Sequence, residues 1–431
     1  MDWRTYYQER IVPAEEAVKC IKSGDRVVLG HACAEPELLV DAMVKRAEEL
    51  TDVEIVHMVA MGKAEYCKPE YIKSFRHNAL FAGGNTRQAI NEGRADYTPV
   101  FFHEVPRLFR DKTIEVDVAM VTVTPPDKHG FVSLGISVDY TMQAVLSAKK
   151  VIAEVNPNMP YTLGRSCIKV TDIDYFVPVE RPIIELKPPV IGEVEEAIGR
   201  HVASLIKDGD CLQLGIGAIP DAILGFLQDK KDLGIHSEMI SDGVMHLVEK
   251  GVINGRSKNL HPYKIIVNFV MGSKNFYEWL HYNPMVEFHP VDYVNDPFII
   301  AQNDNMVAIN SALAVDLMGQ VAADMLGNKQ FSGVGGQVDF VRGAARSKGG
   351  RSIIALPSTA AQGTVSRIVP ALGKGQAVTT SRNDVDYVVT EYGIAHLKGL
   401  PVRKRAERLI SIAAPQFREE LERQFKEIYG V

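Results

Sequence analysis

Along the chain, short apolar runs alternate with stretches whose apolar positions recur every three or four residues, the pattern of strands alternating with helices. The runs VEIVHMVAM from Val53, VDVAMVTV from Val116 and KKVIAEV from Lys149 read as buried strands. The stretch PELLVDAMVKRAEEL from Pro36 reads as a helix: Leu39, Met43 and Leu50 keep one face apolar, and Pro36 suits a first helical turn, where its missing N–H is not needed. This order predicts an α/β architecture. One unit of the pattern is written twice. IKSGDRVVLG from Ile21 and IKDGDCLQLG from Ile206 agree at six of ten positions, and each continues to a proline and a helical pattern, with Pro220, Ile223, Leu224 and Leu227 in the second. Two similar α/β domains follow, each opening on the same unit. Their boundary is expected in ELKPPVIGE, Glu185 to Glu193, because Pro188 and Pro189 break both helix and central strand. That gives domains 1–187 and 188–431. The tail, PVRKRAERLISIAAPQFREELERQFKEIYG from Pro401, reads as an amphipathic helical stretch packed on the second domain.

Composition narrows the function classes. With 431 residues, 46% hydrophobic and 24% charged, the chain has the make-up of a globular protein of two domains. Its net charge of -6 comes from interspersed acids and bases, without the basic stripe that nucleic-acid binding needs. The opening MDWRTYYQER carries charges at once, and no run approaches the roughly 20 apolar residues of a membrane span. The expectation is no secretory signal, no membrane segment and a cytoplasmic location. Cys20, Cys33, Cys67, Cys167 and Cys211 are widely spread with no C-x-x-C pair, and read as small buried hydrophobes in a reducing compartment. His281 and His289, eight residues apart, do not make a metal pair, and no metal is expected.

The candidate chemistry lies in the second half. There the strand CLQLG meets GIGAIP, and GIHSEMISDG then brings Glu238 to the end of a following strand. The arrangement approaches a dinucleotide fingerprint, but Pro220 stands where the third glycine would allow close helix–strand contact, which disfavours NAD. A second glycine turn, FSGVGGQVDFVRGAARSKGGRSIIALPS from Phe331, frees the backbone at Gly333, Gly335 and Gly336; Asp339 is expected to cap the helix in FVRGAAR, and SIIALP to form a buried strand. A turn feeding a helix N-terminus presents N–H groups to an anion. In GIHSEMISDG the residues Ile235, Met239 and Ile240 are apolar, and Asp242-Gly243 starts a helix with Val244, Leu247 and Val248 on one side. That places Glu238 at the active edge of the sheet. Alone, Glu238 would read as a capping or surface carboxylate and the glycines as tight turns. Together they conflict if the bound anion is permanent, because like charges repel. The combination makes sense when the carboxylate is a nucleophile and the donors receive charge as the reaction proceeds.

Over essentially its whole length the chain resembles the class I CoA-transferases of the acetyl-CoA hydrolase/transferase family. The resemblance is carried, in order, by GDRVVLGHACAEP, GGNTRQAINEGRADYTPVFFHEVP, PPDKHGFVSLGISVDY, GIGAIPDAI, HSEMISDG, GVGGQVDF and TEYGIAHLKG. It implies two related CoA-transferase-type α/β domains with the active site in the cleft between them, the first on the acceptor side. It also implies transfer of CoA from acetyl-CoA or butyryl-CoA to a short-chain carboxylate, with 4-hydroxybutyrate as the implied acceptor. Glu238 would attack the thioester, giving an acyl-glutamyl anhydride and then a glutamyl-CoA thioester, so CoA is substrate and covalent intermediate and no cofactor is tightly bound. The resemblance assigns Gly215, Ile216, Gly217, Ala218, Ile219, Gly333, Gly335, Gly336 and Gln337 to the oxyanion and to CoA. Asn310 and Glu391 are supporting residues, or satisfied polar groups at strand ends. His31, Asn85 and Arg87 would line the acceptor pocket, Arg87 as a carboxylate clamp or a structural salt bridge. A homodimer is expected. Where the second copy has Glu238, the first offers His57 or Met58. Two alternatives remain: a hydrolase of the same family, in which water opens the intermediate, and a non-catalytic CoA or nucleotide sensor. Sequence does not fix the acyl group, since a pocket separates methylene homologues by only about 1–3 kcal/mol.

Overall fold

In the computed structural model, which describes residues 2–430, the two copies of the repeat build the same local structure. Arg26–Leu29 of the first copy and Cys211–Gln213 of the second are strands, and each leads through its glycine turn into a helix, Glu37–Val44 and Ala218–Gly225. Pro36 is the residue before the first helix, and that helix ends at Val44, short of Leu50.

The chain divides into two compact units. The first holds a seven-stranded, wholly parallel sheet in the spatial order Tyr175–Pro178, Lys150–Val155, Val118–Val123, Arg26–Leu29, Val53–His57, Phe75–Ala79, Asp96–Tyr97. The strand of the repeat has its sequence successor on one side and a crossover strand on the other, so the strand order reverses there. Parallel strands covered on both faces need continuous apolar runs, which is why Val118–Val123 is buried at every residue. Val27, Leu29, Ile55 and Met120 pack with Leu39 and Met43 of the helix in one core.

The second unit has six strands in the order Gly234–Ile235, Cys211–Gln213, Met306–Ser311, Arg351–Ala355, Tyr387–Thr390, Gly393–His396; all pairs are parallel except the last, a hairpin. Here too the strand of the repeat marks the reversal. The tail expected as one helical stretch forms two helices, Val402–Ser411 and Arg418–Tyr429, broken at Pro415. Leu409, Ile410, Leu421 and Phe425 bury against Ile354 and Val388.

The units are not continuous in sequence: residues 266–294 belong with 1–187, whereas the proline boundary alone would assign everything from 188 onward to the second unit. Hydrogen bonding explains the difference. Val286–Phe288 pairs with Leu163–Gly164, Tyr161 N donates to His281 Nδ1 at 3.0 Å, and Lys274 N donates to Glu185 Oε2 at 2.8 Å. No such long-range pairing can be read from local pattern. Cys33 and Cys211 are buried as expected, and burial pushes both thiols up to about 11; Cys20, Cys67 and Cys167 are only half-buried. Among the described residues no helix is long and apolar enough to cross a membrane, and no group of three or more His, Cys, Asp or Glu side chains is arranged to hold a metal ion.

Candidate active site

The strand of the second copy ends at Gln213, and the chain turns through Gly215 and Gly217 into the helix Ala218–Gly225. Gly217, at φ 112° and ψ -178°, occupies backbone space essentially closed to other residues, so the glycine is a geometric requirement. After that helix the chain returns beside its own strand, pairing Leu212 with Ile235, and His236 N donates to Leu212 O at 3.2 Å. The buried hydroxyl of Ser237 reaches Leu214 O at 3.2 Å and Met239 O at 2.7 Å, and Leu214 bridges Met239. These contacts pin a bend at Ser237–Glu238 to the end of the first strand. Glu238 was expected at a strand end; it lies in this bend between Gly234–Ile235 and Met239–Ile240, half-buried.

The second glycine turn arrives at the same place. Gly335 has φ 52°, and Gly336 precedes the helix Gln337–Arg346. Asp339, expected to cap this helix, is instead its third residue and buried. A Cβ built on Gly336 would overlap Glu238 Oε2 and crowd Asn295 Nδ2, so only a glycine lets the backbone come this close to the carboxylate. Asn295 Nδ2 donates to Glu238 Oε2 at 2.8 Å. Asn295 is fully buried in the turn between the short helices Val291–Val294 and Pro297–Ile300. It was not among the residues picked from sequence.

A carboxylate oxygen, an amide donor and the N-terminus of a ten-residue helix therefore converge within the second unit. The first turn of a helix leaves its N–H groups without intrahelical acceptors and carries partial positive charge. Such a place stabilises the carboxylate and any oxyanion formed beside it.

The remaining candidates divide. Gln337 is held at both ends of its amide, donating to Ser311 O at 2.7 Å and accepting from Thr380 Oγ1 at 2.8 Å, which fixes the helix start. Asn310 forms an amide pair with Gln213, Nδ2 to Oε1 at 3.1 Å. Glu391 accepts from Ser358 N at 2.8 Å and Ser358 Oγ at 2.6 Å. Ile216, Gly217, Ala218 and Ile219 line one wall of a pocket of about 620 Å³ in the second unit. His31, Asn85 and Arg87 all belong to the first unit. His31 is buried with Nδ1 3.0 Å from Asp139 Oδ2, its ring against Phe269 at 4.6 Å between centroids. Asn85 donates to Gly62 O at 2.6 Å, and Arg87 opens the helix Arg87–Asn91.

Comparison with known proteins adds to this geometry. The family model described as the acetyl-CoA hydrolase/transferase N-terminal domain matches residues 1–186, and the model of the corresponding C-terminal domain matches residues 272–425. The chain is 62% identical over 426 residues to the 4-hydroxybutyrate coenzyme A transferase of Clostridium kluyveri, covering 99% of each chain. It is 45% identical over 415 residues to the succinyl-CoA:cyclohexane-1-carboxylate CoA transferase of Geobacter metallireducens, covering 96% of this chain and 94% of that one. The solved structure of a 4-hydroxybutyrate CoA-transferase from Porphyromonas gingivalis superposes with a TM-score of 0.87 at 44% identity, over 99% of this chain and 100% of that one.

Proposed function

Since the chain belongs to the acetyl-CoA hydrolase/transferase family, we propose that it transfers coenzyme A between an acyl-CoA and a short-chain carboxylate, with Glu238 as the nucleophile. The observation that carries the reading is the Glu238 carboxylate, bonded by Asn295 and set against the backbone of Gly336. A glutamate in that position attacks the thioester carbonyl; the C–S bond breaks, CoA leaves as thiolate, and an acyl-glutamyl anhydride remains. The thiolate then attacks the glutamyl carbonyl and releases the acyl group as a carboxylate, leaving CoA in thioester linkage to Glu238. The acceptor carboxylate runs the two steps in reverse. Each addition puts negative charge on a carbonyl oxygen, and the N–H groups at Gly335 and Gly336, with those of the Gly215–Gly217 turn, are the donors proposed to receive it.

The 62% relative favours 4-hydroxybutyrate as an acceptor, while the 45% relative is named for a ring carboxylate, so membership of the family does not by itself select the acid. His31, Asn85 and Arg87 are proposed on the acceptor side. The test is a steady-state assay of butyryl-CoA with acetate, with 4-hydroxybutyrate and with water alone. Parallel double-reciprocal lines with the carboxylates are expected, because CoA waits on the enzyme between half-reactions. Intersecting lines would reject the covalent scheme, and fast turnover with water alone would make the protein a hydrolase.

A further inference from the structure

We infer that Lys258 is a positioning residue for the nucleophile: its ammonium group holds the outer side of the strand from which the chain bends to Glu238, and attack on the thioester depends on that hold. This rests on the reading of Glu238 as nucleophile and adds a residue to it. The strand Gly234–Ile235 is the outermost of the six in the second unit's sheet. Gly234 N donates to Asp210 O at 2.9 Å and His236 N to Leu212 O at 3.2 Å, so these alternate residues turn their peptide groups inward and Ile235 presents its own to the outer side. A carbonyl there, on a buried residue, needs a donor. Lys258 supplies it: Nζ donates to Ile235 O at 2.8 Å and to Lys264 O at 2.7 Å.

Lysine is among the residues least often buried, yet Lys258 is only 5% exposed, while its neighbours in the loop, Arg256, Ser257 and Asn259, are exposed. The loop is shaped to turn it inward. Lys258 N and Tyr263 N both donate to Gly255 O, and His261 and Tyr263 sit in the left-handed region at φ 51° and 63°, a strained backbone that the surrounding contacts have to hold. The strand is matched to the lysine: a Cβ on Gly234 would fall 2.4 Å from Lys258 Cγ, so the stem crosses the strand where there is no side chain. Glu238 follows Ile235 by one bend, through His236 and Ser237. Without the ammonium the buried carbonyl of Ile235 loses its donor, and the strand end shifts toward water. Displacing a reacting group by about 1 Å costs roughly 10²-fold in rate.

The test compares Lys258→Met, which keeps the stem and removes the donor, with Asn259→Ala, which weakens the same loop elsewhere: Asn259 Nδ2 donates to Gln302 O at 2.6 Å, and its Oδ1 accepts from Asp304 N at 2.8 Å. Each variant is measured for melting temperature, for KM of butyryl-CoA and for the single-turnover rate at which borohydride-reducible thioester forms on Glu238. Lys258→Met should form the thioester roughly tenfold to a hundredfold more slowly at a nearly unchanged KM, and Asn259→Ala should melt lower at an unchanged rate. Gly234→Ala carries the test where Lys258→Met does not fold: its methyl displaces the lysine stem but leaves the ammonium, and should slow the same step by less. An unchanged rate in folded Lys258→Met or in Gly234→Ala, an equal slowing in Asn259→Ala, or a raised KM with the rate preserved would overturn the assignment. Absence of any thioester on Glu238 in the unmodified enzyme would instead refute the nucleophile reading on which it rests.

Discussion

The two copies of the repeat can be compared residue by residue. Val27 pairs with Ile55 in the first unit as Leu212 pairs with Ile235 in the second; three residues on stand Met58 and Glu238. The space around them differs in the same sense. In the first unit the turn is filled: Gly30 N donates to Met120 O at 2.8 Å, His57 Nε2 lies 3.0 Å from Gly30 O, and Met58 is buried. Burial holds His57 neutral, well below the usual histidine range. In the second unit nothing lies within 4 Å of where a Cβ on Gly215 or Gly217 would point, and a pocket opens there. Even the carboxylate near the first turn has a different task. Glu35 is buried and accepts from Met61 N at 2.9 Å and Gly62 N at 2.8 Å, bracing a loop. One strand–turn–helix thus yields a packed sheet end in one unit and an open edge beside a pocket in the other. The scaffold sets the position and the local residues set the chemistry.

If this contrast is functional, the largest effect belongs to Glu238→Gln, which keeps the shape and removes the attacking oxygen. Transfer should fall by about 10⁴-fold or more, the scale of losing a covalent nucleophile, with the fold and CoA binding retained. Adding Met58→Glu to that variant should restore nothing, because position 58 is buried beside a filled turn with no open space for a substrate; recovered turnover would break the comparison. Next comes Gly336→Val. Its side chain would occupy the space of Glu238 Oε2, so kcat should drop roughly 10²- to 10³-fold, the cost of a lost oxyanion donor, while CoA affinity changes far less. A large loss of CoA affinity at unchanged kcat would make the turn a binding element instead.

Much of this contrast was legible in the sequence, and what was missed has physical reasons. The repeat, the alternation of strands with helices and the place of Glu238 near a strand end follow from apolar periodicity and from glycines where the backbone must turn tightly; that the strands run parallel came from the structure. Asn295 lies 57 positions from Glu238 in a turn between two four-residue helices, and only tertiary packing joins them. Asn310 looked similar in sequence, but its amide pairs with Gln213. Residues 266–294 leave no local trace of their membership of the first unit, because the pairing that puts them there is long-range.

Asn295→Ala gives the third effect. Without its donor Glu238 is less firmly oriented, and kcat/KM should fall roughly tenfold to a hundredfold, from the loss of a hydrogen bond to a charged group. An unchanged rate would remove Asn295 from the site. The smallest change is expected from Glu35→Gln, and in stability more than in rate. Burial raises the Glu35 carboxyl from 4.5 to about 7, so the folded chain binds its proton more tightly than the unfolded chain does. Its contribution is therefore fully present below pH 4.5 and is lost as pH rises through 7, a change of at most about 3 kcal/mol. Thermal melts across that window should show a smaller decline in Glu35→Gln than in the parent, with transfer kinetics nearly the same. A loss of transfer comparable to that in Asn295→Ala would give the first unit's carboxylate a part in the chemistry.

The most direct test of Glu238 as the residue that carries CoA is to trap the intermediate. The unmodified enzyme is incubated with butyryl-CoA and no acceptor, reduced with borohydride, digested and examined by mass spectrometry. The account predicts that the Glu238 side chain in the peptide GIHSEMISDG is converted to an alcohol and that prior addition of acetate suppresses the conversion. Reproducible labelling of another residue, or rapid transfer with Glu238 unlabelled, would contradict it.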